Sequence, residues 1–163
     1  MTGKGSLNHN SRKFHAKNTD PNRTHWNVEY CNEDIKDVYH ELFDDALKRY
    51  NDKQTRKDRK IDDYYEKIRS GKQEKLFHEV ILQIGDKDNM GSETMEGQLA
   101  AKILDEYMKG FQERNPTLRV FAAHLHLDEA TPHLHIDFIP YVTGSKRGLD
   151  TSCLLYTSPS PRD

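Results

Sequence analysis

The run His126-Leu-Asp-Glu-Ala-Thr-Pro-His133-Leu134-His135 constrains this chain more than any other stretch. Successive side chains of a β-strand alternate between faces, so His133 and His135 share one face while Leu134 turns to the other. The preceding stretch, residues 118–127, also reads as a strand, with His124 and His126 on one face and Phe121, Ala123 and Leu125 on the other. Turn-forming residues between the two join them as a hairpin, and imidazoles then converge on one side of one sheet. His126, His133 and His135 with an open fourth position make a metal site of the kind that catalysis uses. Strand histidines usually serve as partners for a carboxylate or a carbonyl. Three of matching parity around one turn, with Glu129 in the loop, favour the metal. His124, one pleat further from the turn, is read as a supporting or packing residue.

The rest of the chain supplies a setting for that hairpin. Residues 25–30 alternate as a short strand, and Ile35, Val38, Leu42, Ala46 and Tyr50 recur at helical spacing behind a cap at Asn32 or Asp34. A polar, basic connection leads to a short helix over 61–68, ended by Ser70-Gly71. Residues 76–84 form the clearest strand, with Leu76, His78, Val80, Leu82 and Ile84 on one face. After a loop over 85–91, Leu99, Ile103, Tyr107 and Phe111 mark a second long helix that stops before Asn115-Pro116. This order of elements predicts an α+β fold, an antiparallel sheet with helices packed on one face and the metal site on a two-strand hairpin. With 163 residues the chain supports one domain. Trp26 is assigned to the core in preference to stacking on a base.

HLDEATPHLH resembles the metal motif of the HUH endonucleases, specifically the MobV-type (Pre/Mob) plasmid mobilisation relaxases. The likeness extends to Asn8-His9-Asn10-Ser11-Arg12 with the run from Asn18 to Asn27, and to Gly144-Ser-Lys146-Arg147-Gly-Leu-Asp150 after the hairpin. The motifs follow in the family's order over residues 3–150. The resemblance implies a metal-dependent relaxase that nicks one DNA strand at a transfer origin and holds the cut end covalently. Most HUH enzymes attack with tyrosine, but the earliest tyrosine here is Tyr30, and the residue at the MobV nucleophile position is His9. Its product would be a 5′-phosphohistidine, whose N–P bond stores the energy for rejoining. His15 and His25 are alternative nucleophiles. Arg12 is expected to hold the scissile phosphate or orient His9. Glu129 is expected as proton acceptor, orienting partner or additional metal contact, whereas Asp128 is read as a turn residue.

Further expectations follow from the resemblance. The metal is Mn²⁺ or Mg²⁺, although imidazole ligands alone fit Zn²⁺ as well. The partner is single-stranded or hairpin origin-of-transfer DNA, met by Arg12, Arg23, Asn27, Lys146 and Arg147, with other mobilisation proteins as further partners. Two other classes of reading stand beside the relaxase. One is a metal-stabilised origin-binding module that does not cut, and the other a metallonuclease that activates water and forms no adduct.

Composition bears on these readings unevenly. A net charge of −2 is awkward for a DNA binder, but it is not spread evenly. Lys4, Arg12, Lys13, Lys17 and Arg23 gather around His9, and Lys53, Arg56, Lys57, Arg59 and Lys60 form a second cluster, while acids concentrate over 33–45 and 93–113. Cys31 and Cys153 make no disulfide framework, and neither a signal peptide nor an apolar run of membrane-spanning length is visible, so a cytoplasmic protein is expected. Residues 152–163 break from the preceding composition and resemble a translated sequencing adapter. The relaxase domain is therefore expected over 1–151, with 152–163 a non-native tail. The family resemblance also places a strand before the His9 motif, and only six residues stand there, so the chain is read as part of a longer protein.

Overall fold

Among the described residues, four strands carry the fold: β1 (Val28–Asn32), β2 (His78–Gln83), β3 (Leu118–His126) and β4 (His133–Pro140). They form one antiparallel sheet in the order β1-β3-β4-β2, which puts the histidine hairpin β3–β4 in the two central positions. Central strands have ladder partners on both sides, so side chains mounted on them sit on the most rigid part of a sheet. The computed structural model describes residues 7–14 and 16–143. The helices are α1 (Leu7–Asn10), α2 (Ile35–Asp52), α3 (Tyr64–Ser70), α4 (Met95–Lys109) and α5 (Phe111–Arg114). Among the described residues no helix is long and apolar enough to cross a membrane. His15, Lys146, Arg147 and the expected tail over 152–163 lie outside the described residues.

Alternation along the central strands decides what each face holds. Val120, Ala123 and Leu125 of β3, with Leu134, Ile136 and Phe138 of β4, form one apolar face under Leu104 and Met108 of α4 and Phe111 of α5. α4 begins where the Thr94 hydroxyl accepts a hydrogen bond from the Gly97 N–H at 3.0 Å. Its buried face is Gly97, Ala100, Leu104 and Met108. The stripe read from the sequence lies elsewhere: Leu99, Ile103 and Tyr107 are exposed, and only Phe111 is buried, in a separate turn beyond Gly110. Both sets of residues satisfy helical spacing. Close approach chooses the one with small residues, since a Cβ at position 97 would fall on the Gly91 carbonyl.

The other face is divided in two by an irregularity. The β3–β4 register skips a residue between Val120 and Ala122. The extra residue resets the alternation, so Phe121, expected beside Ala123 and Leu125, turns to the opposite face. There Phe121, Ala122 and Ile139 pack with Val38, Tyr39 and Phe43 of α2 and with Tyr64 and Ile68 of α3. The expected antiparallel α+β sheet is therefore present. α4 and α5 cover one face, α2 and α3 wall off one end of the other, and the histidines occupy the remainder of that second face. Burying an aromatic cluster beside them, at a few kcal/mol per large side chain in order of magnitude, anchors the end of the hairpin away from its turn.

Local chemistry shifts several boundaries. β1 begins at Val28 because Thr24–Trp26 form a turn of 3₁₀-helix, and Trp26 is 40% exposed rather than in the core. α2 is capped by Asp34, which accepts from the Lys36 N–H at 2.8 Å. α3 starts at Tyr64, not Ile61, because the Asp63 side chain caps it through the Glu66 N–H. The Ile61 amide and carbonyl are both held by the Asn51 side chain, at 2.9 and 2.7 Å.

Candidate metal centre and active site

Antiparallel pairing sets His126 opposite His133 and His124 opposite His135. His126, His133 and His135 each offer a ring nitrogen, and these three lie within 4.8 Å of one another. The second nitrogen of each ring is held from outside the cluster. His126 Nε2 lies 2.8 Å from the Asn10 carbonyl oxygen, His133 Nδ1 lies 2.9 Å from the Thr131 carbonyl oxygen, and His135 Nδ1 lies 3.1 Å from Glu79 Oε2. Oxygens of this kind accept, so those nitrogens carry the hydrogen and the inner ones present lone pairs.

The inner nitrogens therefore want a cation. His126 Nδ1 and His133 Nε2 stand 3.3 Å apart, and His135 Nε2 is buried with no hydrogen-bond partner. Facing lone pairs are stable only with a proton or a metal ion between them. Burial opposes the proton, pushing His126 down to about 3 and His133 below its ordinary value. The donor set fits a divalent metal held by three imidazoles, with remaining positions open toward a cleft of about 270 Å³ lined by His9, Asn18, Gln83, Glu129, His133 and His135.

Behind the triad sits a buried group that the sequence did not reveal. Glu79 of β2 pairs with Asp137 of β4, and the Asn10 amide donates to Glu79 Oε2 at 2.5 Å and to Asp137 Oδ2 at 3.2 Å. Burial alone would raise Glu79, but hydrogen bonds from His135 and Asn10 keep its carboxyl below the ordinary range. Burial, followed by the charge of Glu79, pushes Asp137 up to about 7. The pair thus shares a proton, with the negative charge on the carboxylate that faces His135. A signal was available in the sequence: Glu79 interrupts the strand on the face opposite Val80 and Leu82, the face that the histidines line.

His9 arrives on the single turn of α1. Its Nε2 lies 3.2 Å from Arg12 Nη1 and 3.4 Å from Glu129 Oε1, and its ring meets His126 edge-on at 6.1 Å between centroids. The chain reverses at Arg12, whose φ of +52° lies in the left-handed region. That conformation aims the guanidinium at the hairpin loop, where it meets Asp128 at 2.5 and 3.0 Å and Glu129 at 2.8 Å. Burial works against the Arg12 charge, yet the two carboxylates outweigh it and raise its pKa.

Asp128, expected only as a turn residue, is fully buried and anchors this arrangement. Although burial pushes the other way, contacts with Arg12, Asn27 and Thr24 hold its carboxyl at about 2. Asn27 fixes the loop through its Oδ1, which accepts from the Leu127 N–H at 2.7 Å. Arg23 is paired with Asp20 at 3.0 Å and with Glu93 at 3.7 Å. His124 lies beside the triad with Nε2 at 3.0 Å from Glu29. His25 is exposed on the 3₁₀ turn.

Comparison with known proteins sets the chain in a family. No curated protein sequence matches the chain. Among solved structures, the Mn-bound MobM relaxase domain (MobV; Mob_Pre) with plasmid pMV158 oriT DNA at pH 5.5 is 27% identical, with a TM-score of 0.52 over 88% of this chain and 65% of that one. A second Mn-bound crystal structure of that domain with the same plasmid's oriT DNA, at pH 4.6, is 26% identical with a TM-score of 0.46, covering 88% and 68%. The chain thus spans less than two thirds of the first of these relatives. A family model for the plasmid recombination enzymes matches residues 4–151, and the chain belongs to that family, Mob_Pre.

Proposed function

We propose that the chain is the greater part of a relaxase domain, occupying residues 1–151, that nicks one DNA strand at a transfer origin and retains the cut end on His9. The observation that carries this reading is the placement of His9 Nε2 between Arg12 and Glu129 at the edge of the three-histidine cluster. Membership of Mob_Pre and the likeness to a relaxase domain crystallised with Mn and oriT DNA support it. His126, His133 and His135 would hold the ion, Mn²⁺ by analogy with that relative. A divalent ion there would draw phosphate oxygens toward the triad and offset charge that develops in the transition state.

The remaining chemistry belongs to the protein. Glu129 takes the Nε2 proton of the imidazolium form of His9 while Nδ1 keeps its own, and the freed lone pair of the neutral ring attacks phosphorus. The N–P bond forms as the P–O3′ bond breaks, and the 3′ oxygen leaves as a hydroxyl carrying that proton. Arg12, held by Asp128 and Glu129, directs its Nη1 to the nucleophile and keeps the neighbouring phosphate in place. A 5′-phosphohistidine results, and attack by a 3′-hydroxyl reverses the step.

The test is a denaturing gel of the chain incubated with Mn²⁺ and a labelled single-stranded origin oligonucleotide. A slow-migrating, acid-labile species that His9→Ala abolishes supports the relaxase. Cleavage without that species identifies water as the nucleophile, and binding without cleavage identifies a recognition module. An adduct that survives His9→Ala moves the nucleophile to His15, His25 or a tyrosine.

A further inference from the structure

We infer that Asn10 is the joint through which the metal centre fixes the segment carrying His9, so that filling the triad orders residues 7–14. The inference rests on the metal and nucleophile reading above and adds a coupling to it. Asn10 directly follows His9 and is 2% exposed, whereas its neighbour Asn8 faces solvent. Its backbone carbonyl accepts from His126 Nε2 at 2.8 Å. Its side-chain amide donates to Glu79 Oε2, the same oxygen that lies 3.1 Å from His135 Nδ1. One residue therefore reaches two of the three ligands by two routes, one through the main chain and one through a carboxylate. Only His133 is oriented independently, by Thr131.

The segment on the other side of this joint has little stability of its own. α1 is a single turn of four residues, and an isolated turn does not persist in water. Its position comes from the Asn10 contacts, from Leu7 against the α2–α3 aromatic cluster, and from the Arg12–Asp128 pair. A metal ion requires His126 and His135 with their lone pairs turned inward, which is the orientation that docked Asn10 enforces. Linkage is reciprocal: whatever docking of α1 contributes to metal affinity, metal binding returns to docking. Asn10 is thus a positioning residue for His9, acting through the ligands and Glu79.

Hydrogen exchange by mass spectrometry on the whole chain, with and without Mn²⁺, reads this coupling directly. The amides of Ser11, Arg12 and Lys13, which donate back to Leu7, His9 and Asn8, report docking. Mn²⁺ is expected to slow their exchange by about tenfold or more, the scale of an ordinary coupling free energy. In Asn10→Ala that slowing should fall below about twofold, while Mn²⁺ affinity drops about 10- to 100-fold, as for loss of a ligand's supporting partner. An Asn10 that merely satisfies the Glu79–Asp137 pair would lower the melting temperature and leave the Mn²⁺-induced slowing intact, which overturns the inference. If Asn10→Ala does not fold, Glu79→Gln carries the test, because it removes the negative charge that strengthens both hydrogen bonds at the oxygen shared by His135 and Asn10. Undiminished slowing in that variant overturns the inference equally. Mn²⁺ binding to the unsubstituted chain with unchanged exchange refutes the coupling alone, and no Mn²⁺ binding at all refutes the metal reading together with it.

Discussion

Substituting Asp128 tests whether the loop between the ligand strands is anchored as its contacts imply. Asp128 is fully buried and accepts from Arg12 Nε at 3.0 Å, Arg12 Nη2 at 2.5 Å and the Thr24 hydroxyl at 3.1 Å. Breaking a buried ion pair from one side costs about 3–5 kcal/mol, because the remaining charge is stranded. Arg12 retains Glu129, so the expected loss for Asp128→Ala is at the lower end, about 3 kcal/mol. Asp128→Asn keeps one acceptor for Nε and Thr24 and forfeits the Nη2 bond, an expected loss of about 2 kcal/mol. Urea unfolding at neutral pH measures both, read as a midpoint shift with unchanged slope. In a chain of this size 3 kcal/mol corresponds to a fall of about 6–12 °C in melting temperature.

Two controls sharpen that measurement. A double-mutant cycle with Arg12→Ala should return a coupling of about 2–3 kcal/mol. Arg12→Gly should end about 1 kcal/mol above Arg12→Ala, since glycine carries no penalty at φ +52°. The sign with pH follows from a folded-state value of about 2 against an ordinary 3.8. Ionised Asp128 stabilises the fold fully above that ordinary value, and the contribution disappears as pH falls toward 2, where Asp128→Asn and the parent converge. A cycle coupling below about 0.5 kcal/mol would refute the buried anchor.

Four further outcomes are expected. His133→Ala should weaken Mn²⁺ binding by more than about 100-fold, beyond what supporting residues cost, and a calorimetric titration with unchanged affinity removes the triad. His126 is pushed from its ordinary 6.5 to about 3 by burial, so below 6.5 the unfolded chain binds more protons than the folded one. Stability of the metal-free chain should therefore decline as pH falls from 6.5 toward 3, and a chain whose decline is the same in His126→Gln would contradict this. Gly97→Ala should destabilise by about 1–3 kcal/mol through collision with the Gly91 carbonyl, despite alanine's higher helix propensity; a raised melting temperature would show that the α4–loop contact is slack. Affinity for a single-stranded origin oligonucleotide, followed by fluorescence anisotropy at fixed ionic strength, should fall when EDTA removes the metal, and equal affinity with and without Mn²⁺ refutes that dependence.

What the sequence made legible was whatever obeys a fixed local period. The triad is an instance: His133 and His135 are two residues apart, and a six-residue connection returns the chain so that His126 faces His133. Parity and one turn sufficed. Phe121 departs from that parity, because a bulge adds one residue without any compositional mark and moves the side chain to the other face. α4 departs from its apparent stripe for another reason. Met95, Leu99, Ile103 and Tyr107 are as periodic as the buried set, and hydrophobicity favours them, but the depth to which Gly97 and Ala100 let the helix settle decides which face is buried. Asn10 lies 69 residues from Glu79 and 127 from Asp137 along the chain, so only the sheet register β2–β4 and the docking of α1 bring the three together. Asp128 lies in the bend that connects β3 and β4, and its role as an anion is hidden in the sequence because its cation, Arg12, comes from the opposite end of the chain.

The charge that sits awkwardly with a DNA partner has a local explanation. The arginines nearest the site are already neutralised: Arg12 by Asp128 and Glu129, Arg23 by Asp20 and Glu93. The imidazoles that burial affects most are held in the neutral form, and Glu79 adds a further carboxylate behind them. One guanidinium thus faces three carboxylates around the triad, and without an ion this patch repels phosphate. A divalent cation held by the triad would bring the patch to neutrality and would make it attractive to the phosphate that the proposed function places beside His9. On the proposed function, the same side chains would make an empty site that repels phosphate and a loaded one that attracts it. Net charge, summed over the whole chain, is blind to this because it ignores where Arg12, Arg23 and their carboxylate partners stand.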